Sequence, residues 1–230
     1  MNLPEKATVI LVHGAWADGS SWSKVILPLE GKGLRVIAAP LPLTSLSDDA
    51  AALKRVIART DGPVILAGHA YAGAVIATAD DPRVKALVYI AALAPDEGET
   101  VAQVFYRDEP HPLAPHLAPD ADGLIWMPEP SFAQAFAPRA TQDEIALLAA
   151  VQRPIALKCI QEPAPKPAWK SKPSWFLIAE EDRMINPGTQ RFMAERMAAT
   201  IQVATVDHIP ILTAPGRVVT IITAAFEATH

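Results

Sequence analysis

The chain is poor in several things that would point it toward particular roles. It has one cysteine, Cys159, so no intramolecular disulfide can staple it. A single thiol fits a reducing compartment, and the cytoplasm is the expected location. There is no run of lysine or arginine, and the net charge is −5, which argues against nucleic acid and anionic membrane as partners. No apolar stretch reaches the length of a membrane span. Met1–Glu5 do not read as a signal peptide, because the apolar run Thr8–Val12 behind them is short and ends in His13-Gly14. No internal repeat or low-complexity segment is visible. What remains is apolar: 50% of the 230 residues are hydrophobic and 20% charged, enough for one large core with an inserted subdomain.

The order of elements follows from hydrophobic patterning. Ala7–Val12 is a continuous β-rich apolar run, as expected of a strand buried on both faces of a parallel sheet. Ser20-Ser21 offer a cap for a helix with Trp22, Val25, Ile26 and Leu29 on one face, ended by Gly31 and Gly33. Leu34–Ala39 is a second strand. Ser47 can cap a helix whose stripe is Leu53, Val56 and Ile57. Pro63–Ala67 and Val84–Ile90 are further strands, separated by a helix that starts near Tyr71. The alternation resumes with a strand at Ser174–Ala179, a helix over Gln190–Ala199 with Phe192, Met193 and Met197 inward, a strand at Ile201–Val206 and a helix over Val218–Phe226. Strands alternating with helices imply right-handed crossovers and an α/β class with a doubly wound, mainly parallel sheet.

The alternation fails between Pro95 and Pro173, which hold 13 of the 22 prolines. Two helical patches stand out there, Ser131–Phe136 and Thr141–Val151, the second with Thr141 and Glu144 as a capping box. So long an excursion in a compact fold is usually functional. The expectation is a core formed by residues 1–94 and 174–230 and a helical lid formed by residues 95–173.

The chemistry-bearing residues fall at strand ends. Gly68-His69-Ala70-Tyr71-Ala72-Gly73 follows one strand, Asp182 another and His208 the last. Open α/β sheets place their sites at such carboxyl ends. The first segment has the spacing of the G-x-S-x-G nucleophile elbow, with Ala70 where the nucleophile belongs and Ala72 at the second glycine. The order elbow, acid, histidine is that of α/β-hydrolases. With Val12-His13-Gly14-Ala15-Trp16, Ser21-Trp22, Pro173-Ser174-Trp175 and Asp182-Arg183-Met184-Ile185, the chain resembles small bacterial α/β-hydrolases related to hydroxynitrile lyases, methyl-ester esterases and methylketone synthases. The likeness spans nearly the whole chain and is weakest over Pro95–Val151.

That resemblance implies roles. His208 is the proton acceptor and donor, and Asp182 holds its tautomer, with Glu180, Glu181 and Asp207 as neighbouring competitors. By motif position the oxyanion N–H groups are those of Ala15 and Tyr71. Trp16, Trp22 and Trp126 are candidates to line an apolar pocket, or equally to pack as core. His13 and His69 read as structural, and with no third ligand at suitable spacing no metal site is expected. No organic cofactor is implied. The partner expected is a small apolar ester or other carbonyl compound; a homodimer is possible and nothing specifies it.

Alanine forms no acyl-enzyme, so covalent serine hydrolysis is excluded for this sequence as it stands. Three accounts stay open. The chain is a serine hydrolase deprived of its nucleophile; or alanine is native and His208 with the oxyanion donors performs non-covalent decarboxylation or carbon–carbon lyase chemistry; or the chain only binds a ligand.

Overall fold

Every residue of the strands β1 (Thr8–Val12), β3 (Val64–His69) and β7 (Ser174–Ala179) is buried in the computed structural model, which describes residues 7–229. These runs are apolar on both faces because both faces are covered. The other main strands are β2 (Arg35–Ala39), β4 (Val84–Ile90) and β8 (Thr200–Ala204). A two-residue pair, β5 (Leu124–Ile125) and β6 (Ile155–Ala156), forms a separate antiparallel ladder. The six-stranded sheet runs β2-β1-β3-β4-β7-β8 and all its pairs are parallel. In register, Ile10 lies between Ile37 and Leu66, and Leu66 faces Leu87. From β1 the chain first moves outward to β2 and then back past β1 to β3. The crevice between the ends of β1 and β3 is therefore the topological switch point.

The helices are α1 (Ser23–Glu30), α2 (Leu46–Ile57), α3 (Ala72–Ile76), α4 (Val101–Phe105), α5 (Glu129–Ser131), α6 (Gln142–Ala150), α7 (Leu157–Gln161), α8 (Pro187–Arg196), α9 (Pro210–Thr213) and α10 (Pro215–Thr229). The long α10 packs across β3, β4 and β7 and carries α1, whereas α3 lies on β3 and carries α2. None of these helices is long and apolar enough to cross a membrane.

Several local expectations shift. Asp18, not Ser20 or Ser21, caps the first helical segment: its carboxylate accepts the Ser20 N–H at 2.8 Å, and a 3-10 turn, Gly19–Trp22, precedes α1. Ser45, not Ser47, caps α2, since its hydroxyl accepts the Asp48 N–H at 3.0 Å. Ser and Asp are interchangeable as caps, so composition alone leaves the start uncertain by a turn. The helix expected over Gln190–Ala199 begins earlier, at Pro187, whose ring suits a first helical turn. Thr141 and Glu144 form the capping box expected of them. Ser131–Phe136 is helical, as expected, but Phe132–Phe136 turns as a π-helix. The signal-peptide reading of Met1–Glu5 lies outside the described residues.

The segment between β4 and β7 contributes no strand to the main sheet. Instead it is tied to the core at several points. The Trp16 N–H donates to the Arg153 carbonyl at 3.1 Å and the Ala156 N–H to the Leu43 carbonyl at 3.0 Å. Lys24 of α1 pairs with Glu144 of α6.

Candidate active site

The turn from β3 into α3 places Ala70 in the left-handed region, at φ 51°. A residue with a side chain pays for that conformation, on the order of 1–2 kcal/mol. Three backbone bonds hold it there. Ala70 donates to Ile90 at 3.2 Å, and its carbonyl accepts from Gly73 at 3.1 Å and Leu93 at 3.0 Å. The tight pass also fixes two glycines. A Cβ on Gly68 would lie 2.8 Å from the Ala72 carbonyl oxygen, and one on Gly73 only 2.4 Å from that of Leu93. Ala72, where the motif has its second glycine, is accommodated fully buried at the start of α3.

Asp182 and His208, from the ends of β7 and β8, come together in the interior, each 2% exposed. The His208 Nδ1–H donates to Asp182 Oδ2 at 2.9 Å, with Oδ1 at 3.1 Å. That donation leaves Nε2 as the lone-pair nitrogen of the neutral ring. The competitors make other contacts. Asp207 accepts from the Arg139 N–H and the Thr213 hydroxyl, Glu180 from the Thr205 hydroxyl, and Glu181 pairs with Arg139. The Asp182 carboxylate also accepts from the N–H groups of Met184 and Ile185 and from the Gln190 carboxamide.

His69, next to Ala70, donates its Nε2–H to the His208 carbonyl at 2.7 Å. Burial, with His208 beside it, drives its pKa down to about 3, so the ring is neutral, and its Nδ1 is buried with no partner. His13 donates Nδ1–H to the Gly14 carbonyl at 2.9 Å and accepts the Leu41 N–H at Nε2. Both histidines thus bond backbone around the loops. Among the described residues no group of three His, Cys, Asp or Glu is arranged to hold a metal ion.

A cavity of about 310 Å³ opens at the switch point and brings together Ala15, Trp16, Ala70, Tyr71 and His208. The N–H groups of Ala15 and Tyr71 donate to no backbone carbonyl among the described residues. The rest of the wall is almost wholly apolar, and much of it, including Val101, Phe105, Ile125 and Leu157, comes from the segment between β4 and β7. Apart from His208 the lining carries no ionisable side chain but the phenols of Tyr71 and Tyr106. Trp16 is itself at φ 57°, and its indole N–H donates to the Ile125 carbonyl at 2.9 Å.

Of the three tryptophans expected at a pocket, only Trp16 lines this one. Trp22 is fully buried at the end of its 3-10 turn and packs as core. Trp126 is 48% exposed and donates to the Asp120 carboxylate at 3.1 Å. It follows Ile125 directly, and successive residues of an extended chain face opposite ways, so Ile125 takes the cavity side.

Three residues around the site escape sequence reasoning. Phe136, on the π-helical turn, packs beside His208 with centroids 5.2 Å apart and ring planes tilted by 59°. Gln190 reaches Asp182 from α8. Asp49 of α2 is fully buried and forms no ion pair among the described residues: it accepts the Tyr71 hydroxyl at 2.7 Å and the Leu43 N–H at 2.8 Å, with the Cys159 thiol at 3.8 Å. Burial raises the Asp49 pKa against those bonds, and burial with Asp49 nearby pushes the Cys159 thiol up to about 12. Cys159 is therefore a protonated, buried thiol, and it is not part of the cavity wall. Nothing in Ser47-Asp48-Asp49-Ala50, three polar residues and an alanine, marks which acid turns inward.

Comparison with known proteins gives a consistent frame. The profile of the alpha/beta hydrolase family matches residues 9–221. Norfluorocurarine synthase 2 of Strychnos sp is 24% identical over 253 residues, covering 93% of each protein. Among solved structures, polyneuridine aldehyde esterase superposes with a TM-score of 0.83 at 17% identity, over 96% of this chain and 99% of that one. A variant of tomato methylketone synthase I gives 0.85 at 18%, over 98% and 99%. A pyrethroid hydrolase from Sphingobium faniae JZ-2 gives 0.85 at 21%, over 96% and 98%. At these identities the superpositions show a shared fold.

Proposed function

Since this chain belongs to the alpha/beta hydrolase family, we propose that it is an enzyme of small apolar carbonyl compounds that works without a covalent intermediate. One observation carries the reading: His208, held by Asp182, lines the same apolar cavity as Ala70 and the two donor positions Ala15 and Tyr71. In this reading the substrate oxygen sits at the Ala15 and Tyr71 N–H groups, where developing negative charge is stabilised. His208 Nε2 accepts or returns a proton. The segment between β4 and β7 serves as the lid that keeps water out.

Decarboxylation of a 3-keto acid suits these parts. The bond to the carboxylate carbon breaks, its electron pair passes into an enolate whose oxygen rests on the two N–H groups, and carbon dioxide leaves. The enolate carbon then takes a proton, supplied through His208, to give the ketone. No lysine or arginine lines the cavity, so a bound carboxylate is poorly solvated there and its loss as a neutral gas is favoured. The methylketone synthase likeness supports this choice among reactions.

A second reading rests on the elbow itself. Ala70 keeps the backbone conformation of a nucleophile turn beside His208, so the site equally suits a serine hydrolase lacking only its hydroxyl. Similarity to polyneuridine aldehyde esterase and to a pyrethroid hydrolase supports ester substrates in that case. The test compares the chain, His208→Ala and Ala70→Ser on 3-keto acids and on small aryl and alkyl esters. Carbon dioxide release that His208→Ala abolishes supports the first reading. Ester hydrolysis gained only by Ala70→Ser supports the second. Tight ligand binding with no turnover in any of the three leaves a binding protein.

A further inference from the structure

Gln190 is fully buried on α8, and its carboxamide uses both N–H groups and one oxygen lone pair in a way that fixes its orientation. Its Oε1 accepts the Ala179 N–H at the end of β7, at 3.0 Å. Its Nε2 donates to the Ile185 carbonyl at 3.0 Å and to Asp182 Oδ2 at 2.8 Å. A flipped amide would set oxygen against two acceptors and nitrogen against a donor, so only one arrangement is possible.

The Asp182 carboxylate is thereby held at both oxygens. The turn into α8 supplies Oδ1 with the N–H groups of Met184 at 2.7 Å and Ile185 at 2.9 Å. Those two bonds restrain the torsion about Cβ–Cγ, which has a broad minimum, from one oxygen only. On Oδ2 the structure provides Gln190 alone besides His208. Without Gln190, one lone pair of a buried carboxylate oxygen faces no donor, and the oxygen that meets the imidazole at 2.9 Å loses its own restraint.

We propose that Gln190 is a positioning residue that holds the Oδ2 side of the Asp182 carboxylate against the turn that holds Oδ1 and, through it, the aim of His208 into the cavity beside Ala70. It touches no substrate. The proposal rests on the reading of His208 as the proton-transfer group, but its first readout needs no turnover.

That readout is the hydrogen-bonded His208 Nδ1–H proton, seen as a downfield resonance and assigned by its loss in His208→Ala. Gln190→Glu is nearly isosteric and keeps the acceptor for the Ala179 N–H, yet puts an oxygen against Asp182 Oδ2. Gln190→Leu removes the polar contact. Both are expected to fold by near-ultraviolet circular dichroism and to shift or broaden the resonance. Whichever reaction the protein carries out, in the chain itself or in the Ala70→Ser background, kcat is expected to fall between about tenfold and a hundredfold with KM little changed. Folded variants with an unmoved resonance overturn the proposal. A moved resonance with no turnover in any background upholds it while the functional reading fails. Should neither variant fold, the side-chain amide of Gln190 in the otherwise unaltered chain decides: one of its two proton resonances shifts in His208→Ala, and indifference of both overturns the proposal.

Discussion

Tyr71→Phe deletes one oxygen atom and tests whether the Asp49 carboxylate depends on it. The phenol donates to Asp49 Oδ2 at 2.7 Å, and the acid is fully buried with no ion pair among the described residues. After the change it keeps the Leu43 N–H at 2.8 Å and a long contact to the Cys159 thiol at 3.8 Å. A hydrogen bond to a charged group contributes about 1.5–3 kcal/mol, so a loss of about 2 kcal/mol is expected near neutral pH. In a domain of this size that lowers Tm by about 4–8 °C. The pH dependence has a definite sign. Burial already raises the Asp49 pKa in the folded state, and the Tyr71 bond opposes that rise. A folded pKa above the unfolded one gives stability that is present at acid pH and lost as pH rises through the folded value. Removing the bond raises the folded pKa further, so the variant loses more over that rise. The gap between the two proteins is smallest in acid and widens toward neutrality. Urea denaturation at a series of pH values from acid to slightly alkaline reads this directly. A gap that is constant, or largest in acid, refutes an ionised Asp49 held by Tyr71.

Two further substitutions probe the loops that meet at the cavity. Gly73→Ala places a methyl 2.4 Å from the Leu93 carbonyl oxygen and 2.9 Å from the Ala92 Cβ, and is expected to cost about 3 kcal/mol in thermal or chemical denaturation. Trp16→Phe keeps the ring but loses the bond to the Ile125 carbonyl at 2.9 Å, at a cost of about 1 kcal/mol. It should also speed hydrogen exchange at the Trp16 amide, which donates to the Arg153 carbonyl; unchanged exchange would mean that the indole bond does not hold this loop.

The inner strands were legible because β1, β3 and β7 are buried on both faces and read as short continuous apolar runs bounded by turn residues. Strand ends fix loop positions, so Asp182 and His208 could be picked before their 2.9 Å contact was visible. Polar residues whose partners lie far off in sequence or in another element were not legible. Asp49 and Tyr71 are 22 positions apart, and an aspartate in the first turn of a helix is the ordinary pattern of a solvated face. Gln190 sits on a helix of weak amphipathicity, where a glutamine reads as surface although it is wholly buried. The tryptophans failed for another reason: residue type gives the appetite for burial but not the direction, and one position of extended chain separates Ile125, inside, from Trp126, half in solvent. The short α4, α7 and β5–β6 pieces lie below the length at which periodicity is detectable.

The elbow allows one change to be read with opposite signs two residues apart. Ala72→Gly falls at the start of α3, in ordinary helical backbone, and is expected to cost about 1 kcal/mol. Ala70→Gly falls at φ 51°, where glycine escapes a left-handed penalty of about 1–2 kcal/mol but gives up about 0.5–1 kcal/mol to the greater freedom of its unfolded chain. The methyl of Ala70 lines the cavity, so little packing is lost with it. The net expectation is neutral to about 1 kcal/mol stabilising. Paired denaturation curves for the two variants measure the difference, and equal losses at both sites would show that the turn at Ala70 is unstrained. The same variant bears on mechanism. If His208 and the backbone donors carry the reaction, Ala70→Gly keeps its turnover, because nothing reactive has been taken away. A fall in turnover comparable to that of His208→Ala would instead mean that the methyl positions the substrate.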